Sequence, residues 1–288
     1  MIFNAFERMV AFRYLRARRQ EGFVSVIAIF SLLGIALGVA TLIIVMSVMN
    51  GFRADLLARI LGLNGDLGVY AESGGLSDFD AAAQKVREIP GVTRVIPLVE
   101  GQVMATSEAG AAGALVRGIR PDDLRSLPLL ANHIVQGSLA DFDGDGVAVG
   151  DRLARRLGIA VGSPITVLSP QGTATAFGTM PRIKTYQVVA LFNVGMYEYD
   201  NSFIYAPLEA AQLFFRLPEA VSNLEVFVTD PDRVREERRS IAAALGGHAR
   251  IVDWQQANSS LFNAVEIESN VMFLILTLII VVAAFNII

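Results

Sequence analysis

Two long apolar runs without a charge, Phe23 to Phe52 and Ser269 to Ile288, bracket residues 53–268, where apolar and polar positions alternate in short blocks instead. A helix rising about 1.5 Å per residue needs about 20 apolar residues to cross hydrocarbon. The first run, 30 residues long, therefore predicts a membrane span that continues past the interface. It is far longer than the apolar core of a cleavable signal peptide, roughly 7–15 residues. The second run is just long enough to cross, which leads us to expect a protein that continues beyond Ile288, with these 288 residues as its N-terminal part.

Between the runs the pattern predicts strands and helices in alternation. LGVYA (67–71) reads as a strand, Ser77–Ile89 as a capped helix stopped by Pro90-Gly91, and VTRVIPLV from 92 as a strand. The far end mirrors this, with strand LEVFVTD (224–230), helix Pro231–Leu245 closed by Gly246-Gly247, and strand HARIVDW. Two strand-helix-strand units at opposite ends of one domain predict a ferredoxin-like sheet assembled from both termini. Residues 100–222 then form an inserted β-rich subdomain. Its strands are expected in GALVRGI, GVAVG, PITVLS, YQVVALFNV and SFIYAP, with short helices at Asp151–Leu157 and Leu208–Phe215. Asp253 is expected to cap a last helix running through Trp254 and Phe262 into the second span. The fold class is α+β: two transmembrane helices, 23–52 and 269–288, flank an extramembrane domain at 53–268, preceded by a short N-terminal segment, 1–22.

Charge orients this layout. Residues 1–22 carry five arginines against two glutamates, whereas 53–268 is acidic. Short arginine-rich flanks stay cytoplasmic, which places the large domain outside. Ile2, Phe3, Phe6, Met9 and Val10 with Arg8, Arg13 and Arg16 suit either an amphipathic segment on the inner surface or an extension of the span. The 53% hydrophobic content and mean hydropathy of +0.49 sit mostly in the two runs, leaving an ordinary globular composition between them.

Catalytic signals are scarce. There is no cysteine, which excludes disulfides, thiolate metal sites and a cysteine nucleophile. Neither Lys85 nor Lys184 sits in a phosphate-binding glycine loop, and GDGVAVG (144–150) lacks dinucleotide spacing. No G-x-S-x-G elbow occurs, and His133 and His248 have no metal-ligand spacing. Asp141, Asp143 and Asp145 before Gly146 resemble the start of a calcium loop, but Arg152 stands at the twelfth position, so an acidic turn is expected. No enzyme activity, cofactor, metal or nucleic-acid partner is predicted.

In the first span, Gly34, Gly38, Thr41, Val45, Met49 and Phe52 fall on one stripe at about 100° per residue. Small residues there suit close helix packing. The same stripe also suits an intramembrane groove that opens towards the outer leaflet.

FRYLRARR (12–19), SVMNGF (47–52), ILGL (60–63), LFNAVEIESNVM (261–272) and VVAAFNII (281–288) together resemble the LolC/LolE family, permease subunits of the lipoprotein-releasing ABC transporter of Gram-negative inner membranes. The likeness covers the whole chain and rests on the motifs in combination. It implies four spans, a periplasmic domain between the first two, and pairing with a second LolC/LolE-type subunit and a LolD-like ATPase dimer. Acylated lipoproteins are then lifted from the outer leaflet and passed to a LolA-like periplasmic chaperone. The resemblance also makes Val45, Met49, Phe52, Met272 and Leu276 candidates for the lipoprotein groove, with Gly34 and Gly38 packing the helix. It further assigns a chaperone hook to SPQGTATAFGTMPR (169–182), naming Pro170, Phe177, Met180, Pro181 and Arg182, with Lys184 behind. A related MacB/FtsX-like ABC permease for another substrate, or a two-span extracytoplasmic sensor, shares the hydropathy layout.

Overall fold

The computed structural model describes residues 6, 9–10, 22–72, 74–175, 178–247, 249–257, 270–275, 277–279 and 281–282. The N-terminal segment before Gly22 (apart from Phe6, Met9 and Val10), His248, Phe262 and the VVAAFNII segment from residue 283 on lie outside the described residues. The chain divides into two units, Met1–Leu56 with Asn258–Ile288, and Leu57–Ala257.

In the first unit helix α1, Gly22–Leu63, begins; among the described residues it is the one helix long and apolar enough to cross a membrane, over Leu32–Gly51. A second apolar helix is found over Asn270–Ile279 among the described residues.

The second unit holds a ten-stranded mixed sheet with helices on its faces and a separate two-stranded ladder. In chain order its elements begin β1 (Leu67–Ala71), β2 (Leu76–Ser77), α2 (Phe79–Arg87), β3 (Val92–Thr106) and β4 (Ala111–Ile119). There follow α3 (Pro121–Arg125), α4 (Pro128–Ala131), β5 (Ile134–Gly137), β6 (Gly146–Gly150) and α5 (Asp151–Leu157). Next come β7 (Pro164–Thr175), β8 (Gly178–Phe192), α6 (Tyr197–Ser202), β9 (Phe203–Pro207) and α7 (Leu208–Phe215). The unit closes with β10 (Ala220–Val221), β11 (Asn223–Val228), α8 (Val234–Ala244), β12 (Ala249–Asp253) and α9 (Trp254–Ala257).

Strands β12, β1, β11 and β3 lie side by side, all antiparallel to their neighbours. The two terminal strand-helix-strand units therefore interleave: β1 and β11 sit inside, β12 and β3 outside. Helices α2 and α8 turn Ala83, Val86, Val234 and Ile241 inward onto this layer.

Strand β3 then changes partners. It pairs with β11 up to Leu98 and with β4 from Val99 onward. Pairings of β3 with β4, β4 with β9, β9 with β6, β6 with β8, β8 with β7 and β7 back to β3 close a ring of strands, with β5 added outside β8. Closure covers the strand edges where they pair around the ring, whereas β7 and β8 extend out of it beyond Ser169↔Arg182. The short central strands GVAVG and FIYAP are buried along their whole length, because both faces meet apolar neighbours. Val147, Val149, Ile204 and Ala206 pack into one core, and Ala148, Phe203 and Tyr205 into a second that also takes in Leu63.

Two details differ from the sequence expectation. Ser77 does not cap α2; it pairs with Ala220 in a two-residue ladder, and the helix starts after Asp78 in a left-handed conformation without a side-chain cap bond. The expected helix from Pro231 opens instead as a 3-10 turn, Pro231–Arg233, before α8. Gly246 and Gly247 take positive φ after it, as a helix-ending pair should.

Gly137 ends β5 at φ +78, and a Cβ there would overlap the carbonyl of Val189. Gly137→Ala combines left-handed strain with overpacking. It is expected to cost about 3 kcal/mol, read by thermal unfolding of the purified protein.

Candidate functional site

The helical stripe resolves into two adjacent faces. Half-buried positions on α1 are Ile35, Gly38, Val39, Leu42, Met46 and Met49, a set that follows the helical repeat. A Cβ on Gly38 would meet Cγ2 of Ile279 at 3.4 Å, so this face looks towards the Asn270–Ile279 helix. Gly34, Thr41 and Val45 lie beside it on an exposed face, and nothing lies within 4 Å of a Cβ built on Gly34. Of the predicted stripe, Gly38 and Met49 are thus on the packed face and Gly34 and Val45 on the open one. Met272 is half-buried. Leu276 and the side chain of Phe52 lie outside the described residues.

The segment 169–182 continues β7 and β8 into a hairpin. Ring pairing of β7 with β3 ends at Leu168, and that of β8 with β6 begins at Gln187. Beyond Ser169↔Arg182 the two strands pair only with each other, through Thr173↔Met180, Ala174↔Thr179 and Thr175↔Gly178, with a register shift between Ser169 and Thr173. Residues 176–177, including Phe177, lie outside the described residues. Pro170 and Pro181 adjoin the Ser169↔Arg182 pair and are exposed, at a place where a ladder N–H is dispensable. Met180 and Ile183 are 64% and 62% exposed. Arg182 turns inward, Nη1 donating to the carbonyl of Phe214 at 3.1 Å near the end of α7. Lys184 pairs with Asp145 at 2.7 Å and lies over the Tyr186 ring. These two cations anchor the hairpin's base. Asp143 accepts from the Gly144 amide, which makes the acidic run a self-bonded turn.

A third constellation escaped the sequence reading. Arg117, in the middle of apolar β4, is 5% exposed and reaches three elements at once. It pairs with Glu100 of β3 at 2.5 Å and Glu225 of β11 at 3.4 Å. It also donates to the Leu63 carbonyl at 3.2 Å and to Asn64 Oδ1 at 3.1 Å, and its guanidinium lies 5.3 Å from the Phe203 ring centroid. Leu63 is the last residue of α1. The signal for this site was present as a lone arginine inside GALVRGI, since a buried charge demands partners.

Burial sets the protonation here. It works against the Arg117 charge, but Glu225 and Glu100 outweigh it and hold the guanidinium above its ordinary value. Burial pushes the Glu225 carboxyl up to about 7, with Arg117 opposing. Burial likewise raises Asp66 to about 6, against the Val228 amide that donates to it. A carboxyl raised in the folded state stabilises the fold below its unfolded pKa and loses that contribution as pH rises through the folded value. Stability is therefore expected to fall between pH 4.5 and about 7. Glu225→Gln should flatten this slope in unfolding curves recorded across that range.

The described residues thus carry one helix of membrane-crossing length, an α+β domain, and a hairpin that exposes Met180 and Ile183. Residues 28–244 match the family described as the MacB-like periplasmic core domain. The chain is 34% identical to the lipoprotein-releasing system transmembrane protein LolC of Neisseria meningitidis serogroup B, over 98% of this chain and 69% of that protein. It is 33% identical to the LolC of Xylella fastidiosa strain 9a5c, over 100% and 70%. It is 24% identical to the LolE of Haemophilus influenzae, over 97% and 68%. The chain belongs to the LolC/LolE family.

Proposed function

We propose that this chain belongs to a permease subunit of an ABC transporter that releases acylated, outer-membrane-directed lipoproteins from the bacterial inner membrane to a soluble periplasmic chaperone. The observation that carries this reading is relatedness along essentially the whole chain, from the first apolar run to the second, to proteins named for lipoprotein release. Residues 1–22 lie on the cytoplasmic side, 23–52 and 269–288 cross the membrane, and 53–268 form the periplasmic domain. The interleaved order of β12, β1, β11 and β3 supports a ferredoxin-like part. The partner change of β3 at Leu98 supports an inserted β-rich subdomain over about 100–222. The chain is not itself an enzyme; a LolD-like ATPase dimer supplies the energy, and a second LolC/LolE-type subunit completes the membrane part.

In this scheme Val45, Met49, Phe52, Met272 and Leu276 line the groove for acyl chains, while Gly34 and Gly38 allow close helix contact. The exposed face of Gly34 and Val45 beside the packed face of Gly38 and Met49 suits a groove that opens at the edge of a helix pair. The hairpin with Pro170, Phe177, Met180 and Pro181 is the chaperone hook, and Arg182 fixes its base. Its prolines limit the freedom lost on docking.

The test is reconstitution of the full-length permease with its ATPase and partner subunit in proteoliposomes that carry a triacylated lipoprotein. ATP together with a LolA-like chaperone should bring the lipoprotein into the soluble fraction. ATP hydrolysis with all lipoprotein retained in the vesicles would refute the reading.

A further inference from the structure

The two places where the chain enters and leaves its α+β unit are fastened to one another. The last turn of α1 ends at Leu63, whose carbonyl has no further helical partner, as at any helix C-terminus. Arg117 fills that vacancy with a cation placed at the negative end of the helix. Asn64 accepts from Arg117 and donates through Nδ2 to the Tyr199 hydroxyl. Gly62 and Gly65 leave no room for play: a Cβ on Gly62 would overlap Leu129, and one on Gly65 would come within 2.8 Å of the Val226 amide. Asp66 then receives the Val228 amide on its carboxylate and the Trp254 amide on its carbonyl. Trp254 opens α9, capped by Asp253, whose Oδ1 accepts from the Gln256 amide at 2.8 Å, and its indole donates to the Pro231 carbonyl. Residues 63–66 and 253–254 thus form one knot, and Arg117 extends it to β3, β4 and β11.

We propose that Arg117 is a positioning residue that locks the end of α1 to both parts of the sheet, so that displacement of the helix is delivered to the whole domain, hairpin included. A two-pronged guanidinium suits the task, because it bonds a carbonyl and an amide oxygen while its charge is held by two carboxylates from separate strands. This deepens the transport reading and rests on it for its consequence, but the lock itself is open to a measurement that needs no cargo.

The experiment uses the full-length permease with its ATPase and partner subunit in proteoliposomes. Arg117→Met removes the lock but leaves Glu100 and Glu225 unpaired, a change that endangers folding. Asn64→Ala is therefore run beside it, since it takes away one prong and the Tyr199 contact while leaving both ion pairs in place. Amide exchange over residues 60–66 is expected to quicken about tenfold in both variants, with the strands of the ring unchanged. ATP hydrolysis should stay within about twofold of the parent while lipoprotein release drops about tenfold, the size of a typical coupling between sites. Arg117→Lys, which keeps the charge without the fork, should recover thermal stability but not release. Unchanged exchange at 60–66 in Asn64→Ala would overturn the lock. Hydrolysis and release falling in parallel with thermal stability would reduce Arg117 to a structural role. A parent complex that hydrolyses ATP without releasing lipoprotein would defeat the transport reading instead, and exchange would still decide the lock.

Discussion

Replacing Met49 with aspartate is expected to abolish lipoprotein release while the protein still inserts into the membrane. Met49 lies near the outer end of the span, so a carboxylate there costs insertion less than the roughly 3 kcal/mol of a helix centre, which the other apolar residues of Leu32–Gly51 outweigh. The cost to the groove is of another order. Each methylene withdrawn from the bilayer must be rehoused at about 0.8 kcal/mol, so an acyl chain of roughly a dozen methylenes carries on the order of 10 kcal/mol. A charge on the half-buried face shared by Gly38 and Met49 would have to be desolvated beside that chain. Release measured from proteoliposomes should fall to background, with wild-type amounts of subunit in the membrane. Normal release would remove Met49 from the groove.

Removing residues 173–180 and joining Gly172 to Pro181 is expected to leave the domain folded and ATP hydrolysis intact but to cut transfer to the chaperone about a hundredfold. The fold survives because ring pairing ends at Leu168 on β7 and starts at Gln187 on β8, and because Arg182 and Lys184 still tie the base to Phe214 and Asp145. The loss follows from deleting the exposed Met180 and, with it, Phe177 of the proposed hook; central apolar anchors are worth about 2–4 kcal/mol in protein interfaces. Photocrosslinking from position 180 to the chaperone gives an independent reading: strong adducts in the intact complex, none if the hairpin has no docking role.

Much of the domain could be read from the sequence because its elements carry local signals. Asp151–Leu157 and Leu208–Phe215 fall where the helical spacing put them, and LGVYA and GVAVG are strands to the residue. What failed were elements defined by tertiary context. IVQG at 134–137 has no alternation and one half-buried residue, so only its pairing with β8 makes it a strand. The α3 and α4 turns are announced merely by Pro121 and Pro128 at their first positions. Ser77 has the chemistry of a cap but is drawn into a ladder with Ala220. The hairpin was expected at this place, bounded by its prolines, whereas its register shift and the reach of its pairing were not legible, because Gly, Thr and Ala in 172–175 carry little strand signal. Arg117 was missed because its partners lie at positions 63, 64, 100 and 225, and separations of that size leave no local pattern.

The transport reading requires the α+β domain to face the periplasm. Residues 1–288 contain no cysteine, so a single Asp122→Cys substitution, at a side chain 99% exposed, provides a unique thiol in this part of the protein. In cells with a permeabilised outer membrane and an intact inner membrane, a membrane-impermeant maleimide should label position 122 fully before lysis. Labelling that appears only after the inner membrane is opened would contradict the account.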